Sequence, residues 1–351
     1  MMEKETNTSK SANTMVKMTT QQREELTAKY VEHMNKVGVD PLEMAENIIK
    51  RCEESKVNKC ELGFSINNAK DAVNKPMIKR EFSGIPCGIE DLDKDYLYGF
   101  KPGDFVLVAA DSGLGKSTLT AYFSMSMSKA GYKVMVFNFE DSETNYEGRL
   151  QLLKNGNGFT DDDLKNLSYT HMKEMDKIVE NPMDLSAIIT KIHAQYGTDV
   201  FIIDMLNDLA DLNLAGDQST KLPNMLQTLA VKLNVTVMCT VRLRKPTGLT
   251  AASRAREFYC PDGGAIAGFN NTQFRATKIL TLSNVPDSID EFEEKTGFTG
   301  YKRLPFAIHV AKARDGNTTN SQDKACVCSW VKYNDGTRMQ LSTKGVISYE
   351  F

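Results

Sequence analysis

The stretch Phe105-Val-Leu-Val-Ala-Ala-Asp-Ser-Gly-Leu-Gly-Lys-Ser-Thr118 constrains the fold more than any other part of the chain. Phe105 to Ala110 is short, apolar and rich in valine, which reads as a buried strand, and Ser117 to Ala130 reads as a helix. The loop between them has the P-loop pattern, with Ala110 at the first position, which is usually glycine. A strand, a glycine-containing loop and a helix in that order predict a phosphate cradle. Its expected residues are Ala110, Asp111, Ser112, Gly113, Leu114, Gly115, Lys116, Ser117 and Thr118. Gly113 and Gly115 let backbone N–H groups curl around phosphate, Lys116 brings charge to the β and γ phosphates, and the Ser117 hydroxyl is a ligand for Mg²⁺. ATP and Mg²⁺ are therefore the expected ligands.

At 351 residues the chain exceeds the roughly 100 to 200 typical of one domain, which allows one large domain with an appendage. Residues 1–20 read as a disordered polar tail. Residues 21–82 read as a helical segment and linker, with Leu26, Tyr30, Met34 and Val37 repeating at helical intervals between Gln21 and Glu54. Residues 83–351 read as the main domain, opening with the punctuated run Ser83-Gly-Ile-Pro-Cys-Gly-Ile-Glu-Asp-Leu-Asp93. Strands are expected at 105–110, 134–139, 200–204, 236–241 and 278–282, and helices at 143–154, 184–195 and 222–233. Such alternation implies an α/β fold with a mostly parallel sheet covered on both faces. Strands at 306–313, 325–333 and 338–342, the last two separated by Asn334-Asp-Gly336, predict an antiparallel C-terminal extension.

Two further carboxylates point toward the same chemistry. Asp204 ends the apolar run Val200-Phe-Ile-Ile-Asp204, the Walker B form in which a carboxylate holds Mg²⁺ through water; the alternative is a helix cap or turn former. Glu140 follows the strand at 134–139 and is a candidate general base for an attacking water, or else an acid capping the next helix within Glu140-Asp-Ser-Glu143.

Taken together, these elements resemble the RecA-like ATPase core of the DnaB-type replicative helicases over about residues 83 to 345. Gly99-Phe-Lys-Pro-Gly-Asp104 is similar to that family's turn before the P-loop strand, and Gly263-Gly-Ala-Ile266 to its Gly-Ser-Ile segment. Glu140 falls where the family has its catalytic glutamate. Lys312-Ala-Arg-Asp-Gly316 matches a Lys-x-Arg-x-Gly element whose basic residues reach the neighbouring subunit's nucleotide in that family, so Lys312 and Arg314 join the expected catalytic set; the bottom-up alternative is a solvated strand end. The resemblance implies a hexameric ring that moves 5′ to 3′ on single-stranded DNA, with a primase or helicase loader as partner. It leaves open a RecA/RadA-like repair ATPase and a KaiC-like assembly ATPase that uses no DNA.

The chain departs from the family in two places. Where a nucleotide-sensing glutamine is usual, it reads Thr240-Val-Arg-Leu-Arg-Lys245. The residues before 83 are too few for the family's helical collar, as in a compact, phage-type form. With a net charge of −3, DNA binding has to come from local cations. Lys221, in the loop expected from Ala210 to Pro223, and Arg242, Arg244 and Lys245, in a stretch continuing through Arg254 and Arg256, are the candidates; an ordinary connection and a solvated loop are the respective alternatives. The seven cysteines are scattered and read as reduced thiols. With no long apolar run and a polar N-terminus, a cytoplasmic protein without membrane association is expected.

Overall fold

A computed structural model describes residues 82–171, 184–207, 218–243, 266, 272–285, 301–319 and 324–348. All of them fall in one compact unit, Lys79–Phe351. The expected tail, the Leu26–Val37 stripe, Arg244, Lys245, Arg254, Arg256 and most of the Gly263–Ile266 segment lie outside the described residues.

The strands are β1 (Phe105–Ala110), β2 (Val134–Asn138), β3 (Leu167–His171), β4 (Val200–Asp204), β5 (Thr236–Arg242), β6 (Lys278–Ser283), β7 (Tyr301–Ala313), β8 (Lys324–Tyr333) and β9 (Met339–Ser348). The helices are α1 (Lys116–Lys129), α2 (Glu143–Asn157), α3 (Leu185–Tyr196), α4 (Gln218–Leu233) and the short α5 (Thr272–Arg275). One sheet runs β3-β2-β4-β5-β1-β6-β7-β8-β9. The pairings from β3 through β6 are parallel and the three from β6 to β9 antiparallel, as the alternation of elements predicts.

Both faces of the parallel part are buried, so β1 is apolar at every position. Val106, Val108 and Ala110 join a core with Leu119, Phe123 and Tyr146 from α1 and α2. Phe105, Leu107 and Ala109 point the other way, into a core with Leu185, Ile189, Leu222 and Leu226 from α3 and α4. The period of two in a strand thus assigns alternate residues of β1 to the two helical layers.

Several boundaries differ from the sequence expectation. β3 has no counterpart there: it pairs only with β2, and Ser168 and Tyr169 are exposed, so its apolar signal is weak. β7 begins at Tyr301 and carries Pro305 within it, opposite Ser329. α4 begins at Gln218 with Pro223 inside, which places Lys221 on a helix rather than in a loop. The burial of Leu222, Leu226 and Ala230 holds that helix together against the backbone bond lost at proline.

The antiparallel extension is tied back to α2. The Asn157 side chain donates to Met339 O at 3.1 Å and accepts from Leu341 N at 2.9 Å, so one amide serves β9 as a strand neighbour would. The approach is close enough that a Cβ on Gly156 would stand 2.2 Å from Met339 O.

Candidate nucleotide site

The P-loop leaves the C-terminal end of β1 and delivers Lys116 and Ser117 as the first residues of α1. Gly113 and Gly115 have φ of +85° and +83°, a conformation open to glycine at little cost and one that a phosphate-cradling turn requires. Lys116 and Ser117 are buried at the mouth of the loop.

β4 and the residue pair after β2 bring the carboxylates in. Ser117 Oγ lies 3.1 Å from Asp204 Oδ1 and 3.4 Å from Glu140 Oε2, and Lys116 Nζ lies 3.6 Å from the same Glu140 oxygen. Four residues therefore meet at one point, with Ser117 and Asp204 87 positions apart in sequence. The cap of α2 is Ser142, whose side chain accepts from Asn145 N at 3.3 Å, so Glu140 has no capping duty there. Asp204 is not a cap either: its Oδ1 accepts from Thr240 Oγ1 at 2.5 Å as well as from Ser117.

Asp204 is 1 % exposed, and its Oδ2 has no hydrogen-bond partner. Burial pushes its carboxyl above the ordinary aspartate range, nearby Glu140 adds to the rise, and the Thr240 and Ser117 hydroxyls oppose it. A buried, half-satisfied carboxylate beside a serine hydroxyl at a phosphate cradle is a hard oxygen donor set, which fits Mg²⁺. Ser117 and Asp204 would hold the ion, and it would supply positive charge to the phosphate oxygens.

Thr240 and Asn207 hold the surroundings of the site together and have no place in the sequence expectation. Thr240 orients Asp204, and Asn207 Oδ1 accepts from Arg242 N at 2.8 Å, tying the end of β5 to the segment after β4. The signal for Thr240 was a hydroxyl in an apolar strand directly beside the Walker B strand. Arg242 itself is exposed and pairs in register with Ala110, next to the P-loop. Lys221 is exposed on α4.

Lys312 and Arg314 stand elsewhere. Lys278 pairs with Val106 near the start of β1 and with Ala313 at the end of β7, so both cations lie at the end of the sheet opposite the P-loop. Lys312 Nζ donates to Gln273 O at 2.7 Å and Arg314 donates to Phe274 O at 3.1 Å. Burial, with Arg314 beside it, pulls the Lys312 pKa down.

A second cluster does not meet the demands of a metal. Glu143, Glu147 and His171 bring ligand-type atoms within 4.8 Å of one another. However, Asn138 Nδ2 faces His171 Nδ1 at 3.4 Å, and that amide is fixed by Asp141, donating to its carbonyl at 3.1 Å and accepting from its N–H at 3.0 Å. With that amide fixed, Nδ1 would be the acceptor and Nε2, buried without a hydrogen-bond partner, would carry the proton, so the arrangement offers a metal no free lone pair.

Fold and site together define a RecA-like P-loop fold with a candidate nucleotide site at the end of β1. Residues 80–248 match the family model described as "AAA domain". A solved structure titled as an ATPase domain is similar at 16 % identity with a TM-score of 0.50, over 88 % of this chain and 99 % of that one. A structure titled "The Structure Of A DnaB-Like Replicative Helicase And Its Interactions With Primase" is similar at 17 % identity with a TM-score of 0.52, over 91 % of this chain and 77 % of that one. No curated protein matches the sequence. The resemblance seen in the motifs therefore extends to the fold of the DnaB-type ATPase domain. Among the described residues, no helix is long and apolar enough to cross a membrane.

Proposed function

We propose that this chain is the motor of a ring-forming, ATP-driven DNA helicase that moves 5′ to 3′ on single-stranded DNA during replication. The observation that carries the reading is the separation within one chain. Lys116, Ser117, Glu140 and Asp204 meet at the P-loop, while Lys312 and Arg314 sit at the opposite end of the sheet. Cations placed there cannot serve their own nucleotide, and a neighbouring copy gives them one to serve. A guanidinium delivered in trans contributes about 10³ to 10⁵ in rate to phosphoryl transfer. In this reading Glu140 orients or deprotonates the water, Lys116 grips the β and γ phosphates, and Ser117 with Asp204 holds Mg²⁺.

Single-stranded DNA would be held through Lys221, Arg242, Arg244 and Lys245, and the DnaB-like relative studied with primase makes a primase or loader a natural partner. The test measures ATP turnover with and without single-stranded DNA, particle mass with a non-hydrolysable nucleotide, and unwinding of forks tailed at either end. DNA-stimulated turnover, a hexamer mass and unwinding from a 5′ tail are expected. DNA-independent turnover would overturn the helicase reading in favour of an assembly ATPase, and strand exchange without unwinding would overturn it in favour of a repair ATPase.

A further inference from the structure

Trp330 is the chain's one tryptophan, and it lies against the P-loop. It is on β8, in register with Leu304 of β7 and Leu341 of β9, and is 4 % exposed. Phe306 stacks on it with ring centroids 5.6 Å apart and planes 16° apart, and Tyr122 of α1 meets it edge-on at 6.3 Å. Its Nε1 is the nearest atom to where a Cβ on Gly115 would stand, at 3.2 Å, with Cδ1 next at 3.6 Å. That indole N–H has no hydrogen-bond partner.

Gly115 holds a left-handed conformation immediately before Lys116 and Ser117, so its backbone sets where both side chains begin. The side of Gly115 away from its own chain is closed by an aromatic ring that Phe306 and Tyr122 hold in place. A buried donor without an acceptor carries the full penalty of its lost hydration, which a fold keeps where another gain offsets it. The polyanion for which the loop is shaped is that gain: the positive end of an indole N–H dipole beside the cradle adds to the field of its backbone amides.

We infer that Trp330 is a positioning residue for the P-loop: it fixes Gly115 from behind and makes the phosphate grip answer to the antiparallel extension. The inference rests on the nucleotide-binding reading of the site. It assigns the extension a part in binding ATP at its own chain's P-loop, distinct from the Lys312–Gly316 element at the end of β7. β7 spans the sheet from one end to the other, carrying Phe306 against Trp330 and ending at Ala313, directly before Arg314.

The test uses the full chain and two independent readouts. Calorimetry first measures ATP and ADP binding with Mg²⁺, and absence of binding would overturn the nucleotide reading and this inference together. With binding established, the emission of the native protein should shift saturably along the same isotherm, since Trp330 is its only source of indole fluorescence. Trp330→Phe keeps an aromatic ring for Phe306 to stack on and removes the N–H. It should melt close to the parent without nucleotide, yet raise KM for ATP about tenfold, with kcat within about twofold. Trp330→Leu should raise KM further. Calorimetric binding with unchanged emission, or a Trp330→Phe enzyme with parental KM, would overturn the inference and leave the ATPase reading standing.

Discussion

Burial holds the Asp204 carboxyl above the ordinary aspartate range, so the native state retains a proton that the unfolded chain has already lost. Stability associated with this group is present at low pH and falls as pH rises through the elevated folded pKa, and at neutral pH its charge is a cost to the fold without Mg²⁺. Asp204→Asn keeps an acceptor for Thr240 and Ser117 and removes the charge. The variant should therefore melt higher in the absence of nucleotide, by roughly 2–4 °C for each kcal/mol relieved, while needing more Mg²⁺ for turnover. Thermal melts and Mg²⁺ titrations of ATPase rate check both halves; a lower melting temperature would mean the carboxylate is structural. Glu140→Gln separates binding from chemistry at the next carboxylate. It should bind ATP normally and hydrolyse it about 10² to 10⁴ times more slowly, a range typical of general-base catalysis. Loss of binding, with the rate per bound nucleotide kept, would reassign Glu140. The P-loop residues were legible because their conformations are fixed locally by glycine and by the strand and helix on either side. Thr240 was not, because its role depends on β5 lying beside β4, a fact of sheet order 36 residues away from its partner.

The elements nearest the base of the sheet are locked by a buried cation. Lys278 of β6 is fully buried and donates at 2.7 Å both to Asp104, just before β1, and to Asp315, just after β7. Lys101 adds a third arm at 2.6 Å to Asp315. Burial works against ionisation of Asp315, but Lys101 and Lys278 outweigh it and hold its carboxyl below the ordinary range. Because Arg314 precedes Asp315, this cluster also fixes the backbone from which Arg314 extends. Lys278→Ala and Lys278→Met should each cost about 3–5 kcal/mol, because either leaves the Asp104 and Asp315 carboxylates without the buried cation, whichever side chain fills the space. Urea unfolding compares the two, and a Lys278→Met variant close to the parent would show that packing rather than unpaired charge sets the cost. Periodicity alone locates β1, β2, β4, β5 and β6 with small boundary errors, because strands buried on both faces are continuously apolar. It fails for β3, whose outer residues are exposed, and shortens β7, because a proline within a strand normally argues against one. Nothing in the residues around Lys278 marks it as buried; its two carboxylates are far away in sequence.

For the whole molecule, Arg314 stands away from its own P-loop, and under the proposed function activity would be a property of pairs of chains. Arg314→Ala subunits keep an intact cradle, and Lys116→Ala subunits keep an intact cation at the far end. Neither should turn over ATP alone, but mixtures that exchange subunits should recover part of the rate, because the two lesions can be segregated to different interfaces. ATPase assays across mixing ratios measure this, and a rate no higher than the additive baseline would place the action of Arg314 within its own chain. How such copies meet is also limited by the Asn157 amide. Where Met339 and Leu341 would offer a carbonyl and an N–H to an incoming strand, that side chain already occupies both. A free sheet margin is a template on which a second molecule can crystallise strand by strand, and here that template is blocked at its first rung. Copies brought close together are thereby steered away from amyloid-like stacking along this margin and toward contacts between folded surfaces.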